Sequence, residues 1–209
     1  MNRAQEEVKK RVKLFAFLIK ALDGFRVGFY TDTSKIREAL VELGLPNKPV
    51  DWNEVLAAIE DIAKIPSRDP SYERLIRLER AATWLFGISL IVLVSSLVLM
   101  FGLSNIYLSF IATMIAFALT NIGYFLKVYV SYRTSQIYSR NYALLEKRGT
   151  ILKRAIELLL SRLRGELKKL GISPSEYKIS LYNSDYKGVH VIKKPSLIRS
   201  RYVVSLAKP

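Results

Sequence analysis

His190 is the only histidine in the chain, and there is no cysteine. Disulfides, thiolate metal sites and clustered imidazole ligation within one chain are therefore excluded. For His190 to act as a catalytic base it needs a nucleophile and an orienting acid. Asp185 and the nearby serines are poor candidates, because "VHVIKK" (189–194) reads as a strand. There is no phosphate loop, no H-E-x-x-H and no G-x-S-x-G. The carboxylates Asp61, Asp69 and Glu73 surround a helix break, where capping and solvation account for them. The sequence predicts no catalytic residue, metal site or cofactor, and a protein that is not an enzyme.

The chemistry that remains is electrostatic. Residues 127–209 carry 18 Lys/Arg against 5 Asp/Glu, whereas residues 1–80 carry 15 against 13. Lys168, Lys169, Lys193, Lys194, Arg199 and Arg201 are the candidate basic face, with Lys178 and Lys187 nearby and Tyr177, Tyr182, Tyr186 and Tyr202 interleaved. Such a face can hold anionic lipid headgroups, each cation contributing about 1 kcal/mol near a membrane. It can instead recruit a protein or ribonucleoprotein partner, or simply be solvated. Nucleic acid is the less favoured partner, because no named RNA-binding motif is present.

The elements that position these cations are organised around residues 81–126, which contain no charge. One helix of that length would extend about 69 Å, against a hydrocarbon core of about 30 Å. Gly102, Ser104 and Asn105 favour a turn. The run therefore predicts two transmembrane helices, 82–102 and 105–127. Arg74, Arg77 and Arg80 precede the first, Lys127 and Arg133 follow the second, and the turn is uncharged, so both termini are expected in the cytoplasm of a multi-pass cell-membrane protein. Trp84, Tyr107, Tyr124 and Tyr129 mark the boundaries. Ala112, Ala116, Thr120 and Gly123 form a small-residue stripe suited to close helix packing. Asn121 is polar at membrane depth, with Ser95 and Ser96 as expected partners.

Residues 1–66 predict a helical cytoplasmic domain. Val8, Val12, Phe15, Ile19 and Leu22 space a first amphipathic helix that Gly24 can end, followed by an extended piece at "FRVGFY" (25–30). Lys9, Lys10, Arg11 and Lys13 offer a second reading, in which this helix lies on lipid. A second helix ends at Gly44, and a third starts at a capping box formed by Asp51 and Glu54. Residues 67–81 form a helical connector capped by Asp69. Residues 128–171 predict a long helix, in which Leu145, Leu152 and Leu159 with Gly149, Ile156, Leu163 and Leu170 make a heptad register. That stripe suits a homodimeric coiled coil or packing on the N-terminal helices. Period-two alternation in 172–209 predicts a β-hairpin or three-stranded meander.

The sequence thus describes a mainly α membrane protein with a cytoplasmic helical bundle and a small basic β segment. Its expected role is a membrane-anchored scaffold or accessory subunit that meets lipid and a protein partner or a second copy of itself. The alternative is a channel or transporter subunit lined by the second span, with Asn121 in the pore. Abundant Lys, Arg and Glu without Cys would suit a thermophile.

Overall fold

The computed structural model describes residues 3–29, 31–46, 48–102, 104–196 and 199–207. Among them are six α-helices, α1 (Arg3–Arg26), α2 (Thr33–Leu43), α3 (Trp52–Ala63), α4 (Tyr72–Phe101), α5 (Ile106–Arg140) and α6 (Tyr142–Lys169), with a 3-10 turn at Pro66–Arg68. Three strands follow: β1 (Lys178–Leu181), β2 (Val189–Lys193) and β3 (Tyr202–Leu206). The chain divides into two units. One joins residues 1–64 to 141–209, and the other is the intervening 65–140.

The first unit is a helical bundle with a sheet. α1 buries Phe15, Leu18, Ile19, Leu22 and Phe25, all at 0–1% exposure, so it is a core helix. Its lysines and arginines edge the bundle, where Lys10 pairs with Glu42 and Arg11 with Glu166. α6 lies antiparallel to α1: Arg11 meets Glu166, while Arg26 lies beside Gly149. The heptad positions Leu152, Ile156, Leu159 and Leu163 are fully buried within the single chain, so that seam offers no surface to a second copy. α2 begins at Asp32, whose side chain accepts from Ser34 N, and ends at Gly44 in a left-handed conformation. Asp51 caps α3 by accepting from Asn53 N.

Three local expectations are corrected. α1 runs through Gly24 to Arg26 and turns at Gly28, so "FRVGFY" is not an extended piece; its Tyr30 lies outside the described residues. The helical run expected over 128–171 is not one helix. α5 continues to Arg140, and Asn141 (φ −103°, ψ 26°) breaks the run before α6; asparagine favours such non-helical conformations. The sheet is not a meander, because its order is β1-β3-β2 with both pairings antiparallel. β2 and β3 do form a hairpin. β3, whose Val204, Ser205 and Leu206 are buried, takes the centre, while β2 has a bulge between Val191 and Lys193 and takes an edge. The most apolar strand gains most from two neighbours.

The second unit is an antiparallel helical hairpin whose seam repeats every seven residues. α4 buries Leu75, Ala82, Ser89 and Ser96; α5 buries Ser109, Ala116, Gly123 and Ile137. A seven-residue repeat stays in register when two helices wrap left-handedly. Small residues let the backbones approach, so that a Cβ on Gly123 would stand 3.3 Å from the Ala82 carbonyl oxygen. The Ser89 hydroxyl donates to the Ala116 carbonyl at 3.1 Å and lies 2.5 Å from the Thr120 hydroxyl, and Thr113 donates to Ser96 at 3.2 Å. Gly123→Leu should push the helices apart at a cost of about 1–3 kcal/mol. The chain has no native thiol, so a Ser89→Cys/Thr120→Cys pair reports the seam directly. It should cross-link readily, and several-fold less once Gly123→Leu is added; equal cross-linking would show that the seam lies elsewhere.

Candidate functional site

The site is built on the segment between β1 and β2. Because β3 lies between these strands, residues 182–188 must pass across one strand, two strand spacings, and they do so folded against α1 and α6. Backbone amides in such a crossing need acceptors. Asp23, fully buried, supplies them: it accepts from the amides of Tyr182 and Asn183, from Asn183 Nδ2 at 2.9 Å and from the Tyr186 hydroxyl at 2.5 Å. Arg26, one turn on from Asp23, makes a bidentate pair with Asp185 (2.8 and 2.9 Å), and Lys153 adds a third bond to it at 2.9 Å. Glu157 accepts from the Lys187 amide and Arg164 donates to the Gly188 carbonyl. Gly188 has φ +76°, which favours glycine, and a Cβ there would displace the Arg164 guanidinium from its bond to the Gly188 carbonyl.

The titration behaviour follows from this packing. Burial first, then the Asp23 carboxylate, push the Tyr186 hydroxyl well above the usual tyrosine range. The Arg26 bidentate bond, with Lys153 behind it, holds Asp185 well below the usual carboxylate range. Burial opposes the charge on Arg26, but Asp185 and Tyr186 together raise its pKa above the ordinary value.

The six cations of the predicted basic face fall into two groups. Lys168 and Lys169 stand exposed at the end of α6, with Lys169 paired to Glu166 at 3.0 Å. Lys193, Lys194, Arg199 and Arg201 belong to the end of β2 and the β2–β3 connection. Ser196 and Arg199 exchange backbone hydrogen bonds there (2.7 and 3.0 Å). No acidic residue follows Asp185 in the chain. Among the described residues none of these four is in an ion pair. Arg201 lies over the Tyr182 ring at 4.4 Å and donates to its hydroxyl at 2.6 Å. Phe29 stacks on the same ring at 4.6 Å and must take the opposite face. Tyr186 is buried, with Arg26 over its ring at 5.0 Å. Neither tyrosine therefore offers an open face for stacking a base. His190 is exposed on β2, and no group of three or more metal-binding side chains occurs among the described residues.

The α5 stripe is assembled as a seam with one shift of register. Ala116 and Gly123 are buried against α4, Ala112 is half-buried beside them, and Thr120 bonds to Ser89. Asn121 is half-buried and does not meet Ser95 or Ser96. It donates to the Phe117 carbonyl of its own helix at 2.8 Å, and Ser96 is taken by Thr113.

Sequence reasoning missed Asp23, Arg26, Asp185 and Tyr186. The available signal was that Asp23 lies four residues after Ile19, a charge on the apolar face of α1. Comparison with family profiles, with curated proteins and with solved structures finds no match to this chain.

Asp23→Ala leaves the Tyr182 and Asn183 amides and the Tyr186 hydroxyl without their acceptor. At about 1–3 kcal/mol per orphaned donor, the first unit should lose about 3 kcal/mol or more, read as the urea midpoint of the full chain in detergent. A shift below a quarter of that would show that water replaces the carboxylate. A pH dependence follows as well. The folded-state pKa of Tyr186 is raised, so its stabilisation is complete below about pH 10, the free tyrosine value, and is lost as pH rises above it. Asp185 is depressed and acts in the opposite sense: its contribution holds above about pH 4 and falls away in acid. Tyr186→Phe should flatten the alkaline limb of the stability profile and leave the acid limb unchanged.

Proposed function

We propose that the chain is a non-enzymatic membrane-anchored scaffold or accessory subunit: the α4–α5 hairpin crosses the cell membrane twice, and the unit formed by 1–64 and 141–209 faces the cytoplasm and uses its basic face to recruit a partner or anionic lipid. One observation carries this reading. The hairpin buries mainly small residues in its seam and turns its large apolar side chains outward; Trp84, Phe101, Tyr107, Phe117 and Phe125 are 66–86% exposed. In water such a surface is an aggregation liability; in hydrocarbon it is matched, and helices there associate through small-residue seams and interhelical hydrogen bonds. Both helices are long and apolar enough to span.

Two arguments support the orientation. Arg74, Arg77, Arg80, Lys127 and Arg133 lie at one end of the hairpin, while the turn has no charge. Independently, α1 and α6 share one core although α4 and α5 intervene in sequence. If the apolar insertion crosses a bilayer, it must do so an even number of times to return the chain to the same side.

The test uses single cysteines, since the chain has none of its own. A membrane-impermeant maleimide applied to intact cells should label Ser104→Cys, in the turn, and should label Ser139→Cys only after permeabilisation. Asn121→Cys should stay unlabelled in both. Release of the chain by alkaline carbonate would reject membrane spanning, and fast labelling at position 121 would replace the scaffold with a water-filled path along α5.

A further inference from the structure

We propose that β2 is a docking edge for an extended acidic segment of a partner protein, which adds to the sheet as a fourth strand outside Val189–Lys193. This deepens the scaffold reading and rests on it for its biological setting; the pairing itself is a separate claim.

The backbone makes the edge available. The Ala207 amide donates to the Gly188 carbonyl at 2.9 Å, so 188 and 207 form a hydrogen-bonded pair. Antiparallel ladders alternate, and the register continues 189↔206, 190↔205, 191↔204. His190 therefore bonds to β3, whereas Val189 and Val191 direct their N–H and C=O groups away from it. Among the described residues no strand lies beyond β2 in the sheet.

The side chains show what would fit. Val191 faces Val204 across the ladder, yet it is 42% exposed while Val204 is fully buried. Ile192 is 43% exposed. At Val191 the inner face of the sheet thus runs past its helical cover, and Ile192, displaced by the bulge, adds exposed apolar surface beside it; apolar residues of an added strand would cover this surface. The flanks are cationic: Lys187 precedes the strand, Lys193 ends it and Lys194 follows, all exposed. Two acidic side chains of this region are already engaged: Glu157 bonds to the Lys187 amide, and Asp185 is held by Arg26 and Lys153.

That charge selects the occupant. Pairing two copies antiparallel about His190, so that Val189 of one meets Val191 of the other, would place Lys187 of one opposite Lys193 of the other, and like charges placed opposite are destabilising. The same lysines and the bulge blunt the edge against self-association, but they would pair with glutamate or aspartate alternating with apolar residues.

The test is a displayed library of random decapeptides selected on the purified full-length chain in detergent. The expected winners alternate acidic and apolar residues. Their binding should fall about tenfold in Lys193→Glu/Lys194→Glu, in keeping with about 0.7 kcal/mol per rim charge. It should be lost in Val191→Pro, which removes an outward N–H that β3 does not use. Hydrogen exchange gives a second readout that does not depend on a variant folding: the Val191 amide exchanges fast in the free chain and slows on peptide binding, while the His190 amide is slow in both. No enrichment, enrichment without acidic residues, or binding that leaves the Val191 amide unprotected overturns the proposal. Protection of that amide by phosphatidylserine vesicles, but not by any peptide, would also overturn it and would keep the scaffold reading with lipid as the partner.

Discussion

The fold of the larger unit depends on one buried acceptor. Asp23 sits on the apolar face of α1 with no exposure, and it collects donors from three residues of the β1–β2 crossing. Burying a carboxylate is costly unless its lone pairs are used, and here several donors converge on them. The reciprocal need is as strong, because the crossing turns amide groups inward that no strand can satisfy. Helix and loop each present a group the other must neutralise. That mutual requirement fixes where the crossing lies on the bundle, and hence which strand can occupy the middle of the sheet. Arg26, Lys153, Glu157 and Arg164 secure the rest of the same segment from outside.

Periodicity made much of this architecture legible. The apolar spacing of α1, the caps at Asp51 and Gly44, the turn at 102–105 and the change to period two after Pro174 all reflect local chemistry and are local in sequence. The features that were not legible are those decided by partners far along the chain. Strand order depends on which of three short strands buries most, and β1 gives no local sign that it will pair with β3 rather than β2. The break at Asn141 interrupts a helical pattern without glycine or proline. Asp23 and Tyr186 are 163 residues apart, and although Asp23 stands out as a charge on an apolar face, nothing local to either residue names the other as its partner. The basic face was legible as composition, but its geometry was not: the lysines at the end of α6 and the cations around the β2–β3 connection share no hydrogen bond or ion pair among the described residues.

The distribution of charge separates two kinds of cation. Arg26, Arg148 and Lys153 are neutralised by Asp185 and Asp61 and help close the bundle. Lys193, Lys194, Arg199 and Arg201 form no ion pair among the described residues. Cations left uncompensated on a small sheet repel one another and contribute little to holding it together.

The order of elements adds a constraint of its own. α1, α2 and α3 cannot bury Phe15, Leu22 or Ile59 fully among themselves, because α6 supplies Leu152, Ile156, Leu159 and Leu163 to the same core. α6 is made only after the whole apolar hairpin. On the membrane reading, the first three helices therefore wait with an open apolar face until both spans are inserted and the chain has returned. Asp23 waits as well, since the groups that satisfy it come later still. On that reading the larger unit reports on the insertion of the hairpin: it completes its core only when the intervening helices have brought the two halves to one side. A hairpin, with its even number of crossings, is the simplest insertion that allows this.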